Sequence, residues 1–457
     1  MGRLATLTGP PANPTAGRQG GGNRVLFGPG GGSAGRYDLS IKRLDSVAER
    51  CPLFIYPHST TVTSHRELAR LIDFAKASAV PGGFGFLDRF GAVEKGRSPA
   101  CFVTARMTYC FSTASLLGMP DVEGYASHGV ASLSGAFRDE AFGGYVSSLD
   151  GTPAAQRKRA YDTCFVALAA SSAATAGIPG GESLTEHVSD VLRARFWSNE
   201  AGALFESWDR EFAEPEPYWG ANANMHGLEA LLALYGYTRN TEWRELGLRI
   251  AETFINTRAR SANWWLNEHY GPDWTPMPEF NADNPRHEFH PYGMTPGHLF
   301  EWSRLLLQLE STFEQPPAWL REAAAGLYET AAKHGWAADG KAGFVYTVDW
   351  NGQPVIRDRP HWVTAEAISA AATWTRLTGG APRYANDLRE WANFAQMHFV
   401  DTEHGSWHPL LDPNNRPSYT MWSGKPDIYH ALQAVLLPQM PVAESTARAI
   451  MTAGNGS

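Results

Sequence analysis

Three histidines, two of them followed three residues later by a glutamate, are the side chains of this sequence best suited to moving protons. In GMTPGHLFEWSRLLL, Gly293 to Leu307, His298 and Glu301 fall in the first turns of a helix that Pro296 is placed to start. They share its stripe with Trp302, Leu305 and Leu309. In GANANMHGLEALLALY, Asn222, His226 and Glu229 lie four and then three apart and share a face with Ala233. In KPDIYHALQAVLL, Asp427 and His430 share a face with Ala434 and Leu437. One such histidine is more often a capping or hydrogen-bonding residue than a catalyst. Three turned inward together with Arg106 and Glu301 reverse that expectation, because burying so many ionisable groups without a function costs stability. An imidazole, with an unperturbed pKa of about 6.5, accepts and releases protons near neutral pH, so the chemistry expected is general acid–base proton transfer.

The same His-x-x-Glu spacing, His226–Glu229 and His298–Glu301, is one that inward-facing metal ligands use. The carboxylate-bridged metal motif runs in the opposite order, Glu-x-x-His, and needs further carboxylates, so no metal is expected. There is no Gly-rich phosphate loop before a helix and no GxSxG elbow, which leaves nucleotide chemistry and serine hydrolysis without support. No cofactor is expected. Aromatic residues near the same segments, Phe102, Tyr161, Trp264, Trp265, Phe289, Trp362, Trp407 and Trp422, offer faces for a sugar ring beside Asn, Glu, Arg and His groups for its hydroxyls.

Helices must position these residues. Segments of helical length run near 65–79, 100–117, 120–137, 154–176, 182–196, 222–237, 242–255, 296–313, 317–334, 362–378, 383–399 and 427–438. Pro99, Pro296 and Pro317 suit helix starts, Ser64 with Glu67 has capping-box spacing, and Gly118, Gly177, Gly335 and Gly379 suit helix ends. GGFGFLDRFG, FVYTVDWNGQPVI and GSWHPLLDPNNRP read as short hairpins in the connections. Arg106 falls in the second helix, Tyr161 in the fourth, Asn222 and His226 in the sixth, His298 and Glu301 in the eighth, Trp362 and Glu366 in the tenth and His430 in the twelfth. All are even-numbered, most within the first two turns. Six helical hairpins closed into an all-α (α/α)6 barrel, with the even helices inside and their N-termini at one mouth, account for that alternation. The positive ends of those helix dipoles would favour an anionic intermediate there.

The chain has 457 residues, 43% of them apolar, enough for a large core in one domain spanning 37–442. The Gly- and Pro-rich stretch 1–36 and the residues from 443 to 457 read as flexible tails. A formal charge of -8 with both signs interspersed argues against nucleic-acid binding. No run of about 18 apolar residues exists, and the four cysteines show no paired spacing, so a cytoplasmic protein with no membrane association is expected. A homo-oligomer stays open, since outer helices and hairpins could face water or pair.

Five separated stretches, TARMTYCFS, GANANMHGLEALLALY, FHPYGMTPGHLFEWSRLLL, VYTVDWNGQPVIRDRPHW and KPDIYH, closely resemble the N-acylglucosamine 2-epimerase superfamily, within it the aldose–ketose isomerase branch that contains mannose and sulfoquinovose isomerases. The resemblance runs from about Tyr37 to Pro441 and implies the same barrel. It implies His298 and His430 as an acid/base pair with Glu301 supporting His298, and Arg106, Tyr161, Asn222, His226, Trp362 and Glu366 around a monosaccharide. The sulfoquinovose branch is expected to carry an arginine at Glu288 and glutamines at Pro409 and Pro426; here those donors are lacking. An uncharged hexose, mannose interconverting with fructose, is therefore the expected substrate. A 2-epimerase of a related sugar and a sulfoquinovose isomerase are the alternatives, followed by a glycoside hydrolase using Glu301 and Glu366 and a non-catalytic sugar-binding protein.

Overall fold

The computed structural model describes residues 58–287 and 289–455, so the expected tail 1–36 and Glu288 lie outside the described residues. Thirteen α-helices follow in order among them: α1 His58–Ala75, α2 Cys101–Leu116, α3 Glu123–Ser134, α4 Ala160–Thr175, α5 Gly181–Val191, α6 Ala221–Thr238, α7 Thr241–Ala251, α8 Pro296–Glu310, α9 Trp319–Gly335, α10 His361–Leu377, α11 Pro382–His398, α12 Tyr429–Leu436 and α13 Thr446–Asn455. Two outer helices continue as wider π-helical turns, α5 over Leu192–Phe196 and α7 over Glu252–Ala259. The first twelve correspond to the segments read from periodicity. Because α1 begins at His58, Ser64 and Glu67 lie within it rather than at its start.

The even-numbered helices pack in sequence, α2 on α4, α4 on α6, α6 on α8, α8 on α10 and α10 on α12, and α12 returns to α2, closing the ring. Each inner helix is covered by the outer helix that follows it, while α12 is covered by α1. The architecture is the expected (α/α)6 barrel. Burial explains which helix goes where. Inner α10 is buried on every side from Val363 to Thr375, whereas outer α11 buries only the stripe Leu388, Trp391, Phe394 and Ala395. Gly177 (φ 70°) and Gly379 (φ 64°) end α4 and α10 in the left-handed conformation that favours glycine.

The connections form two- and three-stranded antiparallel ladders, including the three hairpins expected from sequence. Gly83–Phe84 pairs with Ala79–Val80, Thr347–Val348 with Pro354–Ile356, and Leu410–Leu411 with both Pro417–Ser418 and Arg359–Pro360. These ladders deliver the chain to the inner helices. The residue before each of α2, α4, α6, α8 and α10 is extended, and none of the five has a side-chain cap. Their first amides are instead satisfied by carbonyls of the next connection: Cys101 to Ser147 (2.9 Å), Ala160 to Glu206 (2.9 Å), Ala221 to Glu268 (3.0 Å) and His361 to Pro409 (3.1 Å). In α8 the first residue is Pro296, which has no amide to satisfy.

The expected flexible tail from residue 443 to 457 is corrected by α13. Ala447, Ala449 and Ile450 are buried, the helix packs on α2 and α6, and the Ser445 hydroxyl accepts the Arg448 amide at 3.2 Å as its cap. Small residues made the segment read as a tail; packing on two inner helices makes it a helix. No helix among the described residues is long and apolar enough to cross a membrane.

Below the mouth the barrel core carries one polar layer. Arg304 of α8, 1% exposed, donates from Nε and Nη2 to Glu366 Oε2 of α10 (3.2 and 3.1 Å) and from Nη1 to Gln308 Oε1 (3.1 Å). Its Nη2 also lies 3.5 Å from Glu301 Oε1 and 3.9 Å from Glu229 Oε1 of α6. Tyr429 and Gln433 of α12 donate to Glu229 (2.6 and 3.3 Å to Oε1), so α12 joins the layer through Glu229 and four inner helices are linked by it. Arg304→Met keeps the volume but strands three carboxyl groups in the core. It is expected to cost about 3–5 kcal/mol, read as a lowered urea midpoint with an unchanged slope; a midpoint within error of the parent would show that the layer does not hold the helices together.

Candidate active site

Counted from the first residue of each inner helix, the second positions are Phe102, Tyr161, Asn222, Gly297, Trp362 and His430, and the sixth are Arg106, Phe165, His226, Glu301, Glu366 and Ala434. Residues four apart stack one above the other on a helix, so the six N-termini build two tiers around one axis. A cavity of about 420 Å³ opens there, lined by Phe102, Arg106, Tyr161, Asn222, His226, His298, Glu301, Trp362 and His430, with Phe289 and Trp422 from the connections. Gly297 makes the arrangement fit, because a Cβ added there would lie 2.4 Å from the Trp362 ring. Trp362 thereby sits between the two outer histidines, its ring 5.1 Å from that of His298 and 5.8 Å from that of His430.

Each of these two histidines is held through Nδ1. His430 Nδ1 meets Glu366 Oε1 at 2.8 Å, and His298 Nδ1 meets Glu268 Oε1 at 2.9 Å. With Nδ1–H given to a carboxylate, Nε2 is the nitrogen left for the cavity, in the tautomer that can accept a proton. His226 Nδ1 lies 3.3 Å from Glu229 Oε2 and 3.7 Å from Glu301 Oε1. Arg106 donates to Tyr161 Oη at 2.8 Å and to Asp427 Oδ2 at 3.3 Å, with its guanidinium carbon 4.3 Å from the centre of the Phe165 ring.

Electrostatics differ across the site. Burial, reinforced by the positive charge of Arg106, holds His430 well below the usual imidazole range, so it is neutral near pH 7. Burial also lowers His226, against the pull of Glu229. Burial and the charge of Glu366 raise Glu301 well above the usual carboxylate range, and its Oε1 has no hydrogen-bond partner. Burial would raise Glu229 too, but hydrogen bonding from His226 and the charge of Arg304 outweigh it and hold it down at about 2. The Tyr161 phenol is pushed by burial up to about 12 and stays protonated. His226, Glu229 and Glu301 place their ligand-type atoms within 4.8 Å of one another. Arg304 and Tyr429 already supply the positive and donor groups that this trio needs, which fits an ion-pair layer better than a cation site.

Four expectations are corrected. Glu301 does not support His298, whose carboxylate partner is Glu268; a residue three positions along the same helix stacks toward the next tier, where Glu301 faces His226. Glu366 is not on the cavity wall but wholly buried behind His430. Trp264 and Trp265 lie away from the cavity, the first against Gly326 and the second 4.8 Å from the His334 ring. Trp407 is turned into the core, where its indole donates to Glu67 Oε1 at 3.1 Å. Residues that periodicity did not single out also face the cavity, among them Tyr346, His361, Pro409 and Pro426. Glu268 precedes a two-residue strand, His269–Tyr270, in a long connection where no helical period could point to it. Arg304 stood in plain view on α8 but reads like any helix arginine.

The family profile described as N-acylglucosamine 2-epimerase (GlcNAc 2-epimerase) matches residues 82–434. A D-mannose isomerase of Thermobifida fusca is 45% identical over 392 residues, 85% of this chain and 96% of that protein. Another, of Pseudomonas cannabina pv. alisalensis, is 43% identical over 83% of this chain and 93% of its own length. A crystal structure of a D-mannose isomerase superposes with a TM-score of 0.77 at 28% identity, covering 84% of this chain and 99% of that one. The cellobiose 2-epimerase of Spirochaeta thermophila, 24% identical with a TM-score of 0.71 over 87% of this chain and 99% of its own, shares the fold. Two histidines presented through Nδ1–carboxylate bonds at the N-terminal mouth of a six-hairpin barrel, and a profile match spanning most of that barrel, have one common explanation: this chain belongs to the N-acylglucosamine 2-epimerase family and is an aldose–ketose isomerase.

Proposed function

We propose that the protein interconverts D-mannose and D-fructose by moving protons between neighbouring carbons and oxygens of the open-chain sugar. The observation that carries this reading is the pair His298 and His430, each anchored through Nδ1 and flanking Trp362 on one cavity wall. Its substrate follows the names of the relatives, and the cavity supports it. Pro409 and Pro426 on the wall give a sulfonate no side-chain donors, and Arg106 is already paired with Asp427. An uncharged hexose leaves no anion unpaired there.

In the reaction, the neutral Nε2 of His430 takes the proton from C2 of the aldehyde form. The C2–H electrons form the C1–C2 double bond and the carbonyl electrons pass to O1, giving a cis-enediolate. His298 accepts the proton of O2–H and returns it to O1. The O2 electrons then form the C2 carbonyl, and the double-bond pair takes the proton from His430 at C1, which gives the ketose with no net gain or loss of protons. Arg106 faces the developing oxyanion as a fixed charge, and the N-termini of the inner helices add their partial positive charge. Free thiols at Cys101, Cys110 and Cys164 suit a reducing, cytoplasmic setting.

Incubation with D-mannose in heavy water after EDTA treatment, followed by proton NMR, is expected to yield fructose carrying deuterium at C1. Glucose as the main early product would replace isomerisation with epimerisation, and a protein inert toward mannose would overturn the substrate. His298→Ala and His430→Ala are each expected to lower kcat by at least about 10³-fold, with far-ultraviolet circular dichroism unchanged. A second expectation concerns pH. The base must be neutral to act, and burial with Arg106 lowers His430 well below the usual imidazole range. The acid limb of kcat/KM should therefore lie well below pH 6.5, with a plateau through neutrality; a limb at or above 6.5 would remove His430 from the role of base.

A further inference from the structure

The two anchoring carboxylates are not equivalent. Glu366, behind His430, shares its other oxygen with Arg304, so the guanidinium offsets much of its charge. Glu268, behind His298, is 4% exposed, and among the described residues no lysine or arginine nitrogen lies within ion-pair distance of it. Its place is fixed by the backbone rather than by a counter-charge. The Glu268 carbonyl accepts the first amide of α6, from Ala221, at 3.0 Å. The next residue, His269, pairs with Gly220 in the antiparallel ladder Trp219–Gly220 with His269–Tyr270, and the Met277 amide bonds its carbonyl at 2.9 Å. The carboxylate is thus carried on a connection pinned from both sides, against the helix that presents His226.

We propose that Glu268 is the positioning residue of the oxygen-to-oxygen proton shuttle: it holds His298 with Nε2 toward the substrate and stabilises the ring while it carries the proton between O2 and O1. This rests on the isomerase reading above. An imidazole that picks up a proton from O2–H becomes a cation in a buried site, and an adjacent carboxylate without its own counter-ion is the group that stabilises such a charge most. His430 also carries a proton for part of the cycle, but the Glu366 behind it is already matched by Arg304 and chiefly fixes the orientation of the ring. The pair Glu366–Arg304 therefore serves a base and the lone Glu268 serves a shuttle.

Glu268 touches no reacting atom, so its contribution must be read through a split between two half-reactions. When C2 is deprotonated but O1 and O2 cannot exchange their proton, the enediolate returns to the aldose and takes solvent deuterium at C2. In heavy water, Glu268→Gln is therefore expected to lower fructose formation by about 10–100-fold, the range for losing a carboxylate that orients a histidine. KM for mannose should stay within about 3-fold, because the binding contacts remain, and deuterium should continue to enter aldose C2, raising the ratio of exchange to isomerisation. Glu268→Asp, which keeps the charge, should recover part of the isomerisation rate; Glu366→Gln should lower exchange and isomerisation together. If exchange and isomerisation fall in parallel in a Glu268→Gln protein with a native circular dichroism spectrum, or if Asp recovers nothing, Glu268 has no part in the shuttle. Failure of the underlying reading would look different, since the unmodified protein would then form no fructose at all.

Discussion

Everything at the mouth depends on how the inner helices begin. A helix start leaves amide groups without intrahelical partners, and a buried start must find acceptors for them. Here the first amide of four inner helices finds the carbonyl of the connection that follows its own hairpin, residues 147, 206, 268 and 409, and the fifth begins with a proline that has none to satisfy. The consequence is geometric. Each connection is tied to the start of the helix before it, so the loops cannot drift from the helix N-termini, and side chains at the second and sixth positions converge at a fixed height. The positive ends of these helix starts are thereby gathered around the cavity, an arrangement that favours negative charge there.

Such a concentration of buried ionisable groups needs compensation, and the layer around Arg304 supplies it. One guanidinium faces Glu229, Glu301 and Glu366; burial and the charge of Glu366 raise Glu301 well above the usual carboxylate range, while hydrogen bonding from His226 and the charge of Arg304 outweigh burial and hold Glu229 down. An oxygen without a hydrogen bond is unusual on a carboxyl group 1% exposed. The upward shift of Glu301 disfavours further negative charge in this layer.

How much of this could be read from the residue order depends on where each group sits. Helices were legible because the apolar spacing of the inner ones is continuous and that of the outer ones is a stripe, and the inner ring was legible because His298, His226, Arg106 and Glu301 all fall early in even-numbered helices. Partners across the ring were not. The family resemblance implied Glu301 as the support of His298, and the two do lie on one helix face, yet the face continues downward and the ring of His298 turns toward a connection. Glu268 belongs to a short ladder whose register is set by Ala221 and Gly220 far along the chain, so no local period marks it. The error over α13 has the same root, since its helix is made by contact with α2 and α6 rather than by its own composition.

The charge balance of the cavity also bears on what enters it. Arg106 is matched by Asp427 and bonded to Tyr161, His430 and His226 are neutral because burial lowers them, and burial with the charge of Glu366 raises Glu301 well above the usual carboxylate range. A permanently charged substrate would meet no free counter-charge among these groups, and the prolines at 409 and 426 offer its oxygens no side-chain donors. An uncharged sugar enters such a site without that penalty, and in the proposed reaction the negative charge that appears faces the fixed charge of Arg106 and the proton taken up by His430. Interactions that strengthen when the intermediate forms raise turnover rather than ground-state binding. A neutral cavity with charges held in pairs at its edge is therefore suited to a transient anion and poorly suited to a permanent one.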